Sequence, residues 1–168
     1  SLPDDILQEY SHNPLIRNLY IRKIGFFPHV KYHYVQKEKG CDYGMLIYCT
    51  GGKGWYKIEE KTYEIKENQY IIIPPNVPYS FGADDSDPWT IYWIHFKGAL
   101  TEQFIPKSHA PKNILPEDYS RLQDRLDLFE EIYNSFSMGY TLENMIYSSM
   151  CLYQFLASFL YLDQYRSI

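Results

Sequence analysis

The chain has no apolar run near the roughly 20 residues that a membrane-crossing helix needs. Nothing at its start reads as a signal peptide, because Asp4, Asp5 and Glu9 stand there among polar residues. It has no run of Lys or Arg, and 16 basic against 21 acidic residues leave a net charge of −5. Such a chain by itself is a poor match for a phosphate backbone. The three cysteines, Cys41, Cys49 and Cys151, are odd in number and without motif spacing. They read as reduced thiols of a cytoplasmic protein rather than as a disulfide framework or a metal site. His29 and His33 have an i, i+4 spacing, but Pro28 and the strand-like segment that follows remove the helix such a metal pair requires. Gly51-Gly52-Lys53-Gly54 lacks the spacing of a phosphate loop and reads as a hairpin connection. No serine lies in a nucleophile elbow. No cofactor and no catalytic residue are expected.

What is abundant is aromatic surface. Aromatics make up 18% of the 168 residues, and 18 of them are tyrosines. Tyrosine joins a large apolar face to a polar tip and serves strands and wet cavities equally well. The length suits one domain, or one domain with a helical appendage. The stretch from Gly51 to Gly98 is the organising block, a succession of short strands punctuated by Gly, Pro and Asn/Asp clusters. The expected strands are Arg17–Phe27 (ended by Gly25 and Pro28), 31–36, Tyr43–Cys49, Trp55–Ile58, Thr62–Ile65, Tyr70–Ile73, Tyr79–Phe81 and Trp89–Phe96. Tyr43–Cys49 is apolar throughout, as suits a strand buried on both faces. Asn68 is placed where a positive φ is expected, a conformation that Asn tolerates better than most residues. Residues 1–16 read as a polar arm without an anchor.

After Gly98 the pattern changes. Leu115, Tyr119, Leu122, Leu126, Phe129, Tyr133 and Phe136 alternate steps of four and three, a heptad seam with Pro116 in its first turn. Ser137–Gly139 breaks this helix, and Thr141 caps a second one with a broad apolar face from Leu142 to Leu160. The expected class is therefore mainly β with C-terminal α, a β-barrel followed by an antiparallel helix pair. The domain boundaries are placed at 1–106 for arm and barrel and 107–168 for the helical pair. The seam residues Leu122, Leu126, Phe129 and Tyr133 are the candidates for contact between two copies.

The order of features carries a resemblance. Gly52-x-Gly54 and a short hairpin precede Asn68-Gln69, which leads into Ile71-Ile72-Ile73-Pro74-Pro75; Tyr79 follows, then Trp89-x-x-x-Trp93-Ile94-His95-Phe96-x-Gly98. Over roughly residues 17–162 this resembles the N-terminal cupin-type domain of AraC-family bacterial transcription regulators. The resemblance implies a small jelly roll that binds an effector, commonly a sugar, and a helical pair that supports homodimerisation. It also implies a separate helix-turn-helix region that reads DNA and is absent from this chain, so DNA would be a partner only through that region.

By the same resemblance, inward positions include Lys37, Phe81, Ile91 and Trp93, with Tyr79 where metal-dependent cupins place a histidine. A phenol holds one donor and one acceptor but does not build a metal site with imidazoles. Trp93 is the expected stacking platform for a neutral guest. Lys37 stands where the family's arabinose sensor has arginine, and Ile91 weakens an arabinose-like reading. The rivals are a metal-dependent cupin enzyme (an isomerase or dioxygenase) and a stand-alone carbohydrate-binding module.

Overall fold

The computed structural model describes residues 1–114 and 120–167. Among the described residues nine strands form in order: β1 (Tyr20–Phe27), β2 (Tyr34–Lys37), β3 (Gly44–Gly51), β4 (Lys53–Ile58), β5 (Lys61–Lys66), β6 (Gln69–Ile73), β7 (Tyr79–Ala83), β8 (Thr90–Lys97) and β9 (Lys112–Asn113). They make a five-stranded sheet ordered β1-β8-β3-β6-β9 and a four-stranded sheet ordered β2-β7-β4-β5. β1 pairs with β8, β2 with β7, β3 with β6 and β4 with β5, and the short β9 is added at the edge beside β6. A long hairpin ribbon folded over on itself gives this order, which is the winding of a jelly roll. The mainly-β, cupin-like class expected from the sequence is the observed one.

Local chemistry sets the turns. The β4–β5 hairpin turns on Glu59 (φ 50°) and Glu60 (φ 69°), both left-handed as a two-residue primed turn demands. Asn68 has φ 65°, as its position before β6 required. In β3, Met45 to Cys49 are all at most 5% exposed, so both faces of that strand are covered. Two strands run on past an expected stop at glycine. β1 continues through Gly25, and β7 continues through Gly82 to Ala83. In each case the absent side chain makes room for an indole, as described below.

The chain divides into two compact units: Gly25–His95 with Ile105–Ile114, and Ser1–Ile24 with Phe96–Phe104 and the described residues from Ser120 onward. The second unit is largely helical: α1 (Asp4–Tyr10), α2 (Pro14–Arg17), α3 (Leu122–Ser137), α4 (Leu142–Leu160) and α5 (Leu162–Arg166). Thr141 caps α4 by accepting from the Asn144 N–H at 3.2 Å, and α3 and α4 pack together. The expected helix residues Leu115, Pro116 and Tyr119 lie outside the described residues.

The N-terminal segment is not the loose arm expected from its polar composition. Leu2 is 4% exposed and donates its N–H to the Arg22 carbonyl at 2.8 Å, while the Ser1 carbonyl accepts from the Tyr140 hydroxyl at 2.9 Å. Two apolar residues, Leu2 and Ile16, anchor it. A pattern search misses anchors that lie so far apart in a polar segment.

Candidate functional site

Inward-facing residues of both sheets form one buried cluster. Tyr56, Tyr79 and Phe81 come from the four-stranded sheet, Met45, Ile47, Ile71, Ile73, Ile91 and Trp93 from the five-stranded sheet, and Trp89 from just before β8. Four of the five candidate ligand residues therefore meet: Tyr79, Phe81, Ile91 and Trp93 are each at most 6% exposed within this cluster. Lys37 does not join them. It is exposed at the end of β2, although its Cα pairs with that of Tyr79.

Trp93 sits where it does because β1 has a glycine beneath it. A Cβ on Gly25 would lie 2.3 Å from the Trp93 Cζ2 atom, so the indole occupies that space. Phe27 packs at 5.5 Å from the indole centroid and His95 at 4.9 Å. The Tyr79 and Phe81 rings stack at 5.8 Å and 2°.

Two polar stations interrupt this aromatic lining. At the first, the Tyr79 hydroxyl lies 3.5 Å from the Cys41 thiol, and the Tyr43 hydroxyl is hydrogen-bonded to both groups. The Tyr43 ring stacks on His95 at 4.3 Å, and His95 in turn meets Trp93. Burial, then the Cys41 contact, pushes the Tyr43 phenol up to about 12. Burial is also the largest cause of the rise at Tyr79. Both phenols are thus neutral at physiological pH, able to donate and accept but not to act as bases.

The second station is His33. Trp89 Nε1 donates to its Nδ1 at 3.2 Å, which leaves the ring proton on Nε2. Phe27 and Phe81 flank the imidazole at 5.1 and 5.6 Å, and burial lowers its pKa. His33 is therefore a neutral donor beside aromatic faces. His29 offers it no helical partner, since His29 has φ 45° and no helix forms there.

Sequence reasoning did not assign Cys41, Tyr43, His33 or His95 to this site. Only Tyr43 and His95 carried a usable signal, through their positions just before β3 and two residues after Trp93. Among the described residues the only buried charged side chain is Arg125 on α3, so no buried Asp, Glu, Lys or Arg lies in this interior. Nor, among the described residues, do three His, Cys, Asp or Glu side chains gather as a metal set. What the arrangement offers chemically is flat aromatic surface with a few uncharged hydrogen-bonding groups.

Known proteins place this geometry in a family. A family model described as the AraC-like ligand binding domain matches residues 24–155. The MmsAB operon regulatory protein of Pseudomonas aeruginosa is 31% identical over 101 residues, 58% of this chain and 33% of that protein. The chain thus spans about a third of the length of that relative. Among solved structures, a cupin protein from Bacteroides fragilis is 17% identical with a TM-score of 0.36, over 45% of this chain and 64% of that one. An RmlC-like cupin with a double-stranded β-helix fold from Methanocaldococcus jannaschii is 11% identical with a TM-score of 0.38, over 52% of this chain and 75% of that one. The jelly-roll fold rests on the strand order given above. With strand winding, aromatic interior and matched residues in agreement, the chain belongs to the AraC-like ligand binding domain family.

Proposed function

We propose that this chain is the effector-sensing and dimerisation part of a cytoplasmic transcription regulator. A small uncharged molecule, a sugar or sugar derivative, occupies the barrel interior. Its binding changes how a DNA-reading helix-turn-helix region, outside this chain, engages its target. The single observation that carries the reading is the interior itself, where Trp93 and the stacked Tyr79–Phe81 pair stand beside neutral phenol, thiol and imidazole groups. An apolar C–H face of a sugar stacks on the indole, and its hydroxyls exchange hydrogen bonds with Tyr79, Tyr43 and His33. A charged effector fits less well, because desolvating a charge among such walls is costly without a paired group. Regulation through this site needs different effector affinities in two states, with about 1–3 kcal/mol of coupling being usual.

The test is calorimetric titration of the protein with a panel of pentoses, hexoses and their uncharged derivatives. Tyr79→Phe removes one hydroxyl without removing the ring, and Trp93→Phe keeps an aromatic core while shrinking the platform. Each is expected to weaken binding about tenfold, equivalent to about 1.4 kcal/mol. Unaltered affinity in both variants would place the effector elsewhere.

A further inference from the structure

The outward face of the four-stranded sheet carries side chains for which the interior has no use. Alternation places Tyr34, Gln36, Trp55, Lys57, Ser80 and Gly82 on the side opposite the buried Phe81 and Tyr56. Strand register lines them up in two rows. One runs Tyr34–Gly82–Trp55–Glu64 and the other Gln36–Ser80–Lys57–Thr62.

Gly82 shapes the first row. A Cβ there would stand 3.0 Å from Trp55 Nε1, so the indole lies over the bare glycine and approaches Tyr34, their ring centroids 5.9 Å apart. Tyr34 is 58% exposed, and its hydroxyl donates to Gln36 Oε1 at 3.1 Å, which ties the aromatic row to the polar one. The polar row opens into a cleft of about 330 Å³, walled by Gln36, Lys57 and Ser80 together with Lys37, Glu59 and Glu60.

The charges choose the ligand class. Lys37 and Lys57 face Glu38, Glu59 and Glu60 around this cleft, and the Lys57 ammonium already lies 3.9 Å from the Glu60 carboxylate. Mixed signs at this density suit neither a polyanion nor a polycation. They do suit a ligand rich in hydroxyls, which both carboxylates and ammonium groups can hydrogen-bond. Flat indole and phenol surfaces beside such groups suit the C–H faces of sugar rings. We infer that the outward face of the β2-β7-β4-β5 sheet binds a neutral oligosaccharide. Its rings stack on Trp55 and Tyr34, and its hydroxyls bond to Gln36, Ser80 and Lys57. This site does not depend on the interior reading, although Tyr79 belongs to both the buried cluster and the cleft wall.

The experiment titrates the chain with cellohexaose, xylohexaose and maltohexaose at millimolar concentration, followed by calorimetry and by amide chemical shifts. At least one hexasaccharide is expected to bind. Trp55→Ala and Tyr34→Ala should each weaken it about tenfold or more, and Trp93→Phe should leave it unchanged. Tyr34 is exposed enough that its removal leaves folding intact, so that variant stands if Trp55→Ala fails to fold. Absence of binding by all three sugars overturns the inference. So does binding that survives Tyr34→Ala but is lost in Trp93→Phe, which would put the sugar inside the barrel.

Discussion

His33 shows how much one side chain's surroundings decide. Its Nδ1 accepts the Trp89 indole proton, and its ring is wedged among Phe27, Phe81 and Trp89. Protonation would turn that acceptor into a donor and cost the bond. Burial therefore holds the folded-state pKa below the ordinary value of 6.5. The unfolded chain then takes up its proton first as pH falls, so stability is lost from about pH 6.5 downward toward the folded pKa, and is regained as pH rises. His33→Asn keeps an acceptor for Trp89 but cannot titrate. Urea midpoints between pH 7 and 5.5 should fall less in that variant than in the native chain, and equal slopes would remove His33 as the cause. At this scale the sequence was legible where backbone chemistry is local. Asn68 has the left-handed φ expected of its position. It was illegible where a residue answers to a distant partner. Gly25 looks like a strand terminator until the Trp93 indole is seen to occupy the space a side chain would need. Lys37, read as an inward residue, instead lies exposed at the end of its strand.

Among elements, α3 departs most from its pattern. The apolar seam read from the sequence includes Leu122, Leu126, Phe129, Tyr133 and Phe136, yet the buried residues are Arg125, Phe129, Ile132 and Phe136. The helix is rotated by part of a turn because an arginine, not a leucine, is drawn inside. Arg125 is 0% exposed. It donates from Nε to the Ser158 hydroxyl at 3.1 Å and from Nη2 to the Ser158 carbonyl at 2.9 Å, with its guanidinium 5.0 Å from the Phe159 ring centroid. A guanidinium presents several donors in a fixed plane and stacks on aromatic faces, so it can be a core residue where its donors find acceptors. No periodicity rule scores a charged residue as apolar, so Leu126 was read in place of Arg125 and Tyr133 in place of Ile132, while Phe129 and Phe136 stand in both sets. Arg125→Ala removes these donors, leaves a cavity and strands a buried carbonyl. It should destabilise the chain by about 3 kcal/mol, read as a lower urea midpoint at unchanged slope. Arg125→Lys should recover only part of the loss, since one ammonium cannot reproduce the planar contacts.

For the whole molecule, the jelly-roll winding was recoverable because each turn announces itself with Gly, Pro, Asn or a Glu pair, and strand pairing follows from the order of turns. Association between copies leaves no such marks and must be argued from what α3 and α4 expose. Phe129, one of the four seam residues, is 4% exposed and packs on Phe155 at 5.9 Å within its own chain, so it has little surface left for a partner. Leu122 and Tyr133 are different: they are 41% and 42% exposed, and Leu126 between them is partly buried. If two copies meet through this helix, burying those side chains supplies the contact, and a charge placed there opposes it. Leu122→Glu combined with Tyr133→Glu should therefore raise the dimer dissociation constant at least a hundredfold, about 2.7 kcal/mol, in sedimentation equilibrium. The circular dichroism and urea midpoint of the monomer should be unchanged, because neither side chain is part of the core. Phe129→Ala should behave in the opposite way, lowering the midpoint by about 3 kcal/mol as large-to-small core changes do, with any loss of dimer following from unfolding. A native chain that remains monomeric at every accessible concentration would remove α3 as a dimer contact and leave its exposed apolar stripe without that role.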